Sequence, residues 1–178
     1  SNLGISARRI TVSTVGVVPG IRRLAGENLP VNLAVSLHAA RDELRNQIVP
    51  LNRRYPLSVL MGACAEYVAA TRRRLSFEWA LIDGVNDRPQ DAAELAELAL
   101  PLGAHVNLIP LNPTPGYRGR GTPLAGVAAF CDGLLGHGVN ATVRANRGTD
   151  IDAACGQLVA RVQAAPGKRG RPGGATLN

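Results

Sequence analysis

Leu75-Ser76-Phe77-Glu78-Trp79-Ala80-Leu81-Ile82 reads as a β-strand, and it follows a helix-patterned stretch that closes on Arg72-Arg73-Arg74. Outward from it, the same alternation repeats in both directions. Upstream, residues 56–71 carry Val59, Leu60, Ala63, Cys64, Tyr67 and Val68 at three- and four-residue spacing, with Pro56 at the first turn. That stripe puts Cys64 in the core. Residues 48–54 form a connector with a basic end, and residues 41–46 suit one helical turn. Residues 31–36 read as a strand. Residues 20–27 suit a helix, with Ile21 and Leu24 inward. Residues 9–15 are β-branched and are expected to form a short buried strand. Downstream come an Ala/Leu helix over 89–100, a strand over 105–110, a helix over 124–136 and a strand over 140–144. Val127, Phe130, Cys131, Leu134 and Leu135 give the 124–136 helix its apolar face. A last short helix is expected over 153–162. Strands alternating with helices point to a parallel α/β sheet with helices outside it. Two closures stay open, a doubly wound sheet or part of a β/α barrel, because periodicity does not separate them.

At 178 residues, 46% hydrophobic and 19% charged, the chain is globular and suits one domain. Residues 165–178 are Pro, Gly and basic, with nothing to bury, and are expected to be a disordered basic tail. No apolar run reaches the roughly 18–20 residues of a membrane span, and no basic-then-apolar leader points to secretion. The net charge of +7 suggests an anionic partner, nucleic acid being the commonest. Only Lys168 among the basic residues is lysine, a bias that genome base composition alone produces; Arg is also the better phosphate fork. Cys64, Cys131 and Cys155 show no CxxC or CxxxCxxC spacing, so this chain offers no cluster or zinc ligands. Few, scattered thiols fit a reducing, cytoplasmic setting.

In either closure the ligand face lies at the carboxyl ends of the strands. Ser13, Ser36 with His38, and Asn112 all fall at such ends, and the loop bearing Cys155 follows the last strand. Each has a structural alternative. Ser13 and Ser36 suit helix caps, His38 suits a satisfied core histidine, and Asn112 before Pro113 suits a turn. Their convergence on one edge favours a binding rim.

Arg147-Gly148-Thr149-Asp150-Ile151-Asp152-Ala153-Ala154-Cys155-Gly156-Gln157-Leu158 sets a cysteine among small residues, which leaves room at the sulfur. With Ser13-Thr14-Val15-Gly16-Val17-Val18-Pro19, Ser36-Leu37-His38-Ala39, Ile48-Val49-Pro50 with Asn52, Val85-Asn86-Asp87 and Val106-Asn107-Leu108-Ile109-Pro110 with Asn112-Pro113, it resembles the radical-SAM methyltransferases of adenine C2 in 23S ribosomal RNA. The resemblance covers residues 4 to about 160. It departs at Trp79, where the family usually has Tyr, and at Asn146, where Thr is usual.

What the resemblance implies is an incomplete, radical-SAM-type parallel β/α barrel. Residues 1–164 are then the carboxyl-terminal part of the barrel domain. Ser13, Ser36, Leu37, His38 and Asn112 match residues that bind S-adenosylmethionine, and Cys155 matches the methyl acceptor. The mechanism implied has one S-adenosylmethionine methylating Cys155. A second is cleaved at a 4Fe-4S cluster to a radical that takes hydrogen from the Cys155 methyl group. The carbon radical then adds to adenine C2. The CxxxCxxC loop, a resolving cysteine, two earlier strands and an RNA-binding region of the family have no match here. The implied partners are 23S rRNA or tRNA and an electron donor such as flavodoxin, and no metal ligand lies in this chain. A sister activity at adenine C8 and a silent RNA-binding remnant are the alternatives. A half barrel is also expected to leave an unpaired strand edge and to self-associate.

Overall fold

The computed structural model describes residues 9–111 and 120–144. Its strands are β1 (Thr11–Thr14), β2 (Asn32–Ser36), β3 (Leu75–Leu81), β4 (His105–Pro110) and β5 (Ala141–Val143). They pair in sequence order, β1-β2-β3-β4-β5, and every pairing is parallel. Helices α1 (Val18–Gly26), α2 (Asp42–Ile48), α3 (Leu57–Thr71), α4 (Pro89–Ala99) and α5 (Leu124–Gly136) fill the connections.

This order decides the closure. A doubly wound sheet reverses its strand order partway, which sends helices to both faces. Here the order never reverses, so right-handed crossovers carry every helix to one face. The side chains agree. Leu33, Val35, Leu75, Phe77, Trp79, Leu81, Val106 and Leu108 join helix residues Ile21, Leu60, Tyr67, Leu95 and Phe130 in one buried core. The alternate positions of the same strands, among them Ser13, Asn32, Ser76, Glu78 and Asn107, line an uncovered polar face. One covered and one open polar face make this a section of a parallel β/α barrel, its open face being the barrel interior.

Several elements differ from the sequence reading. β1 is not buried, and Val12 is 37% exposed. It is the edge strand beyond β2, and among the described residues no strand pairs with its outer flank. Helix α2 runs to Ile48 and is followed by a 3-10 turn over Pro50–Arg53 rather than an irregular connector. Proline fixes the first position of that turn and lacks the N–H an α-helix would need later. In α3 the inward stripe is Leu57, Leu60, Ala63, Cys64 and Tyr67, and Val59 falls off it. In α5 Leu135 is exposed and Cys131 only half buried. Cys64 is core as expected. Trp79 stacks on Phe130 at 5.9 Å between centroids, and its Nε1 donates to the Asn86 carbonyl at 3.2 Å.

Candidate binding rim

Strand register sets the open face. Ser36, Glu78, Asn107 and Thr142 are successive partners across β2 to β5 and form one polar rung. Ser13, Ala34, Ser76 and His105 form the rung beneath it. The upper rung is wired laterally. Asn107 Nδ2 donates to Glu78 Oε1 at 2.8 Å, Thr142 Oγ1 donates to Asn107 Oδ1 at 3.2 Å, and Arg144 Nη1 lies 3.7 Å from Glu78 Oε1. Glu78, Asn107, Arg144 and Arg74 border a cavity of about 360 Å³ that reaches Ser13.

At the top of this face the tips of β1 and β2 hold most of the expected site residues. Ser13 is exposed and Ser36 half buried, and both face the open side. Neither caps a helix: the residues preceding α1 and α2 are Val17 and Arg41. Leu37 points the other way, fully buried in the core. Its N–H donates to the Glu78 carbonyl and its own carbonyl accepts from Arg45 Nε at 3.0 Å.

His38 sits in the left-handed region at φ 62°, an uncommon conformation for a residue with a Cβ. Asn86, itself fully buried, holds it there. Asn86 Nδ2 donates to the carbonyls of His38 and Ala80 at 2.9 and 2.8 Å, and Asn86 Oδ1 accepts from the Ile82 N–H at 2.8 Å. The Ala80 N–H donates to His38 Nδ1 at 2.9 Å, so the ring proton belongs on Nε2. Burial first, then the charge of Arg45, pushes the imidazole down to about 3. The ring is therefore neutral, with Nδ1 engaged and Nε2–H as its donor.

Asn112 and Cys155 lie outside the described residues, as do the expected 153–162 helix and the 165–178 tail. Burial pushes the Cys64 thiol up to about 12 and the Cys131 thiol upward as well. Both keep their protons at neutral pH and are poor nucleophiles. Among the described residues no group of three or more His, Cys, Asp or Glu could hold a metal ion. None of the described helices is long and apolar enough to cross a membrane.

Sequence reading missed Arg45, Asn52 and Asn86, which support the rim from behind, and Glu78 and Asn107 on it. A signal existed for some of them. Glu78 and Asn107 occupy alternate positions between apolar residues, the pattern of a strand with one polar face. Arg45 precedes Ile48 by one turn, on the buried side of α2.

No protein-family model matches the chain. It is 58% identical over 158 residues to the "Probable dual-specificity RNA methyltransferase RlmN" of Parafrankia sp., covering 89% of this chain and 41% of the relative. A solved structure, a radical SAM methyltransferase from Sphaerobacter thermophilus, superposes with a TM-score of 0.79 at 56% identity, over 86% of this chain and 45% of that one. A domain of pyruvate-formate lyase-activating enzyme from Bacteroides vulgatus superposes with a TM-score of 0.53 at 14% identity, over 72% of this chain and 89% of the domain, a likeness of fold alone. The chain spans about two-fifths of the length of the curated relatives it matches.

Proposed function

Because this chain belongs, over the nine-tenths of its length that align, to the radical SAM methyltransferase family, we propose that the protein carrying it methylates C2 of an adenine in RNA. The substrate proposed is 23S rRNA, with tRNA as a second, in the cytoplasm. Cys155 is the methyl acceptor on the protein. The observation that supports this most is that Ser13 and Ser36 face the open side at the neighbouring tips of β1 and β2, with a neutral His38 held two residues beyond Ser36.

Bound S-adenosylmethionine would supply both the methyl group and, with an electron from a reduced iron–sulfur cluster, hydrogen-abstracting power. Residues proposed to hold it are Ser13, Ser36, Leu37, His38 and Asn112. The two serine hydroxyls and the His38 Nε2–H are neutral hydrogen-bonding groups, which suit a ligand carrying hydroxyls, ring nitrogens and a sulfonium that an extra cation would repel. Leu37 contributes its backbone, since its side chain is committed to the core. Among the described residues none forms a set that fits a cluster. The cluster ligands are proposed to come from outside this chain, and the electron donor is proposed to be a separate protein such as flavodoxin.

The chemistry explains why a cysteine is needed. Adenine C2 is electron-poor and does not attack a methyl donor, so polar transfer fails there. A methyl group parked on the Cys155 sulfur and then activated as a carbon radical can add to that position. A resolving cysteine, for which this chain has no match, would then take the Cys155 sulfur into a disulfide and so break the sulfur–carbon bond that still holds the base. The base must leave its stack to reach the rim. A net charge of +7 favours the RNA backbone. Residues 1–164 are proposed as barrel and 165–178 as a basic tail, with the exposed β1 edge pairing with other chain when this segment is alone.

The test is the full-length protein, reconstituted anaerobically and given S-adenosylmethionine with a labelled methyl group. Label should appear on Cys155 and then on RNA. A Cys155→Ala protein that still methylates RNA would sink the assignment, while Cys64→Ala and Cys131→Ala should leave the chemistry intact.

A further inference from the structure

We infer that Arg45 is a positioning residue for S-adenosylmethionine, fixing the spacing and shape of the β1 and β2 tips that carry Ser13 and Ser36–His38. The inference rests on the S-adenosylmethionine reading above. Arg45 lies on α2 and is 1% exposed. Its guanidinium donates from Nη2 to the Val15 carbonyl at 2.8 Å and to the Ser36 carbonyl at 3.2 Å, from Nε to the Leu37 carbonyl at 3.0 Å, and from Nη1 to Asn52 Oδ1 at 2.9 Å. Val15 follows β1; Ser36 ends β2 and Leu37 follows it.

The β1–β2 ladder stops at the Thr14–Val35 pair. Beyond it the guanidinium takes over as the link between the two tips. A planar fork with several fixed donors can hold three carbonyls at set distances; a lysine ammonium, a point charge on a flexible stem, cannot. A buried cation kept for stability alone would normally meet a carboxylate. Arg45 instead meets carbonyls and an amide. Its nearest carboxylate in the network, Asp42, is one step away, accepting from Asn52 Nδ2 at 2.8 Å. Asn52 is further fixed by Asn46 Oδ1 at 2.9 Å. The arrangement therefore directs the guanidinium at the rim backbone.

Two neighbours fit this role. Gly16 adopts φ +108°, and a Cβ there would come within 3.3 Å of Arg45 Nη2 and 3.2 Å of Leu60 Cδ2. A side chain at 16 would push into the fork as well as strain the backbone. His38 follows Leu37 directly, so its left-handed backbone is gripped by Arg45 on the Leu37 carbonyl and by Asn86 on its own carbonyl.

The experiment compares full-length wild type with Arg45→Lys, Gly16→Ala and a core control, Leu95→Ala, which loosens α4 without touching the rim. Arg45→Lys and Gly16→Ala should raise KM for S-adenosylmethionine roughly ten-fold or more, the scale on which supporting residues act at ligand sites. KM for RNA should stay unchanged. Leu95→Ala should leave both KM values unchanged at temperatures where it is folded. Amide exchange over residues 36–39 should quicken in Arg45→Lys and not in Leu95→Ala. Equal KM for S-adenosylmethionine in Arg45→Lys and wild type, or exchange over 36–39 no faster than in the control, overturns the inference. If wild type binds no S-adenosylmethionine, the functional reading fails separately, and the exchange comparison still decides whether Arg45 shapes the tips.

Discussion

The outer and inner faces of the same sheet are held by different physics. On the outer face Phe77, Trp79, Leu108 and their helix partners exclude water, and stability comes from area buried. On the inner face Ser36, Glu78, Asn107 and Thr142 stay partly wet, and the last three are joined by hydrogen bonds that water could replace. The difference teaches where this chain can change. The outer face specifies the fold, and the inner one is free to carry a site. Between them runs a seam of buried polar residues, Arg45, Asn52 and Asn86, which belongs to neither. There each polar group is satisfied inside the protein, and removing one leaves its partners stranded.

Substitutions should separate the three zones in order of size. Phe77→Ala on the outer face should cost about 3–5 kcal/mol in urea unfolding of this chain, by lost transfer energy and the cavity left behind. Asn86→Ala in the seam should cost about 2–3 kcal/mol, because the carbonyls of His38 and Ala80 and the N–H of Ile82 lose their partner. A loss below that of an ordinary surface change would show that water replaces the amide and that the seam is not closed.

Acid should act on the seam next. The folded pKa of His38, near 3, lies below the unfolded 6.5, so the unfolded chain binds more protons between those values. Stability is then full above pH 6.5 and falls as pH drops towards 3. At pH 5 the loss is about 2 kcal/mol, scaled from about 1.4 kcal/mol per pH unit. The pH dependence of urea midpoints should flatten in that window in a His38→Gln variant. Smallest of all, Glu78→Gln on the inner face should change stability by about 0.5 kcal/mol or less, since Gln keeps an oxygen for Asn107 and gives up only a 3.7 Å ion pair with a largely exposed Arg144. A large loss there would mean that the inner face, too, is a structural core.

How much of this the sequence disclosed follows the same division. Outer-face order was legible because buried apolar residues repeat at the period of their element. Leu60, Cys64 and Tyr67 stood on one helical stripe, and β2, β3 and β4 were each bounded by turn residues. Burial of β1 was misread because β-branched composition says what a strand can bury, while its position at an edge says what it does bury. The seam was the least legible part. Arg45 in Asp42-Glu43-Leu44-Arg45-Asn46 looks like any surface helix charge; only the approach of Val15, from thirty residues away, makes it a clamp. Asn86 in Val85-Asn86-Asp87 reads as a turn residue, and it is one, but its amide also closes the His38 backbone. Strand ends point to Ser13, Ser36 and His38 as candidates, while Leu37 is core by side chain. Asn112 and Cys155 lie outside the described residues.

The central claim, adenine-C2 methylation through Cys155, is tested most directly by mass spectrometry of nucleosides from 23S rRNA and tRNA of a strain lacking the gene. The account predicts that 2-methyladenosine disappears, returns with the wild-type gene, and stays absent with Cys155→Ala. Unchanged 2-methyladenosine in the deletion strain, loss of 8-methyladenosine in its place, or full restoration by Cys155→Ala would contradict it.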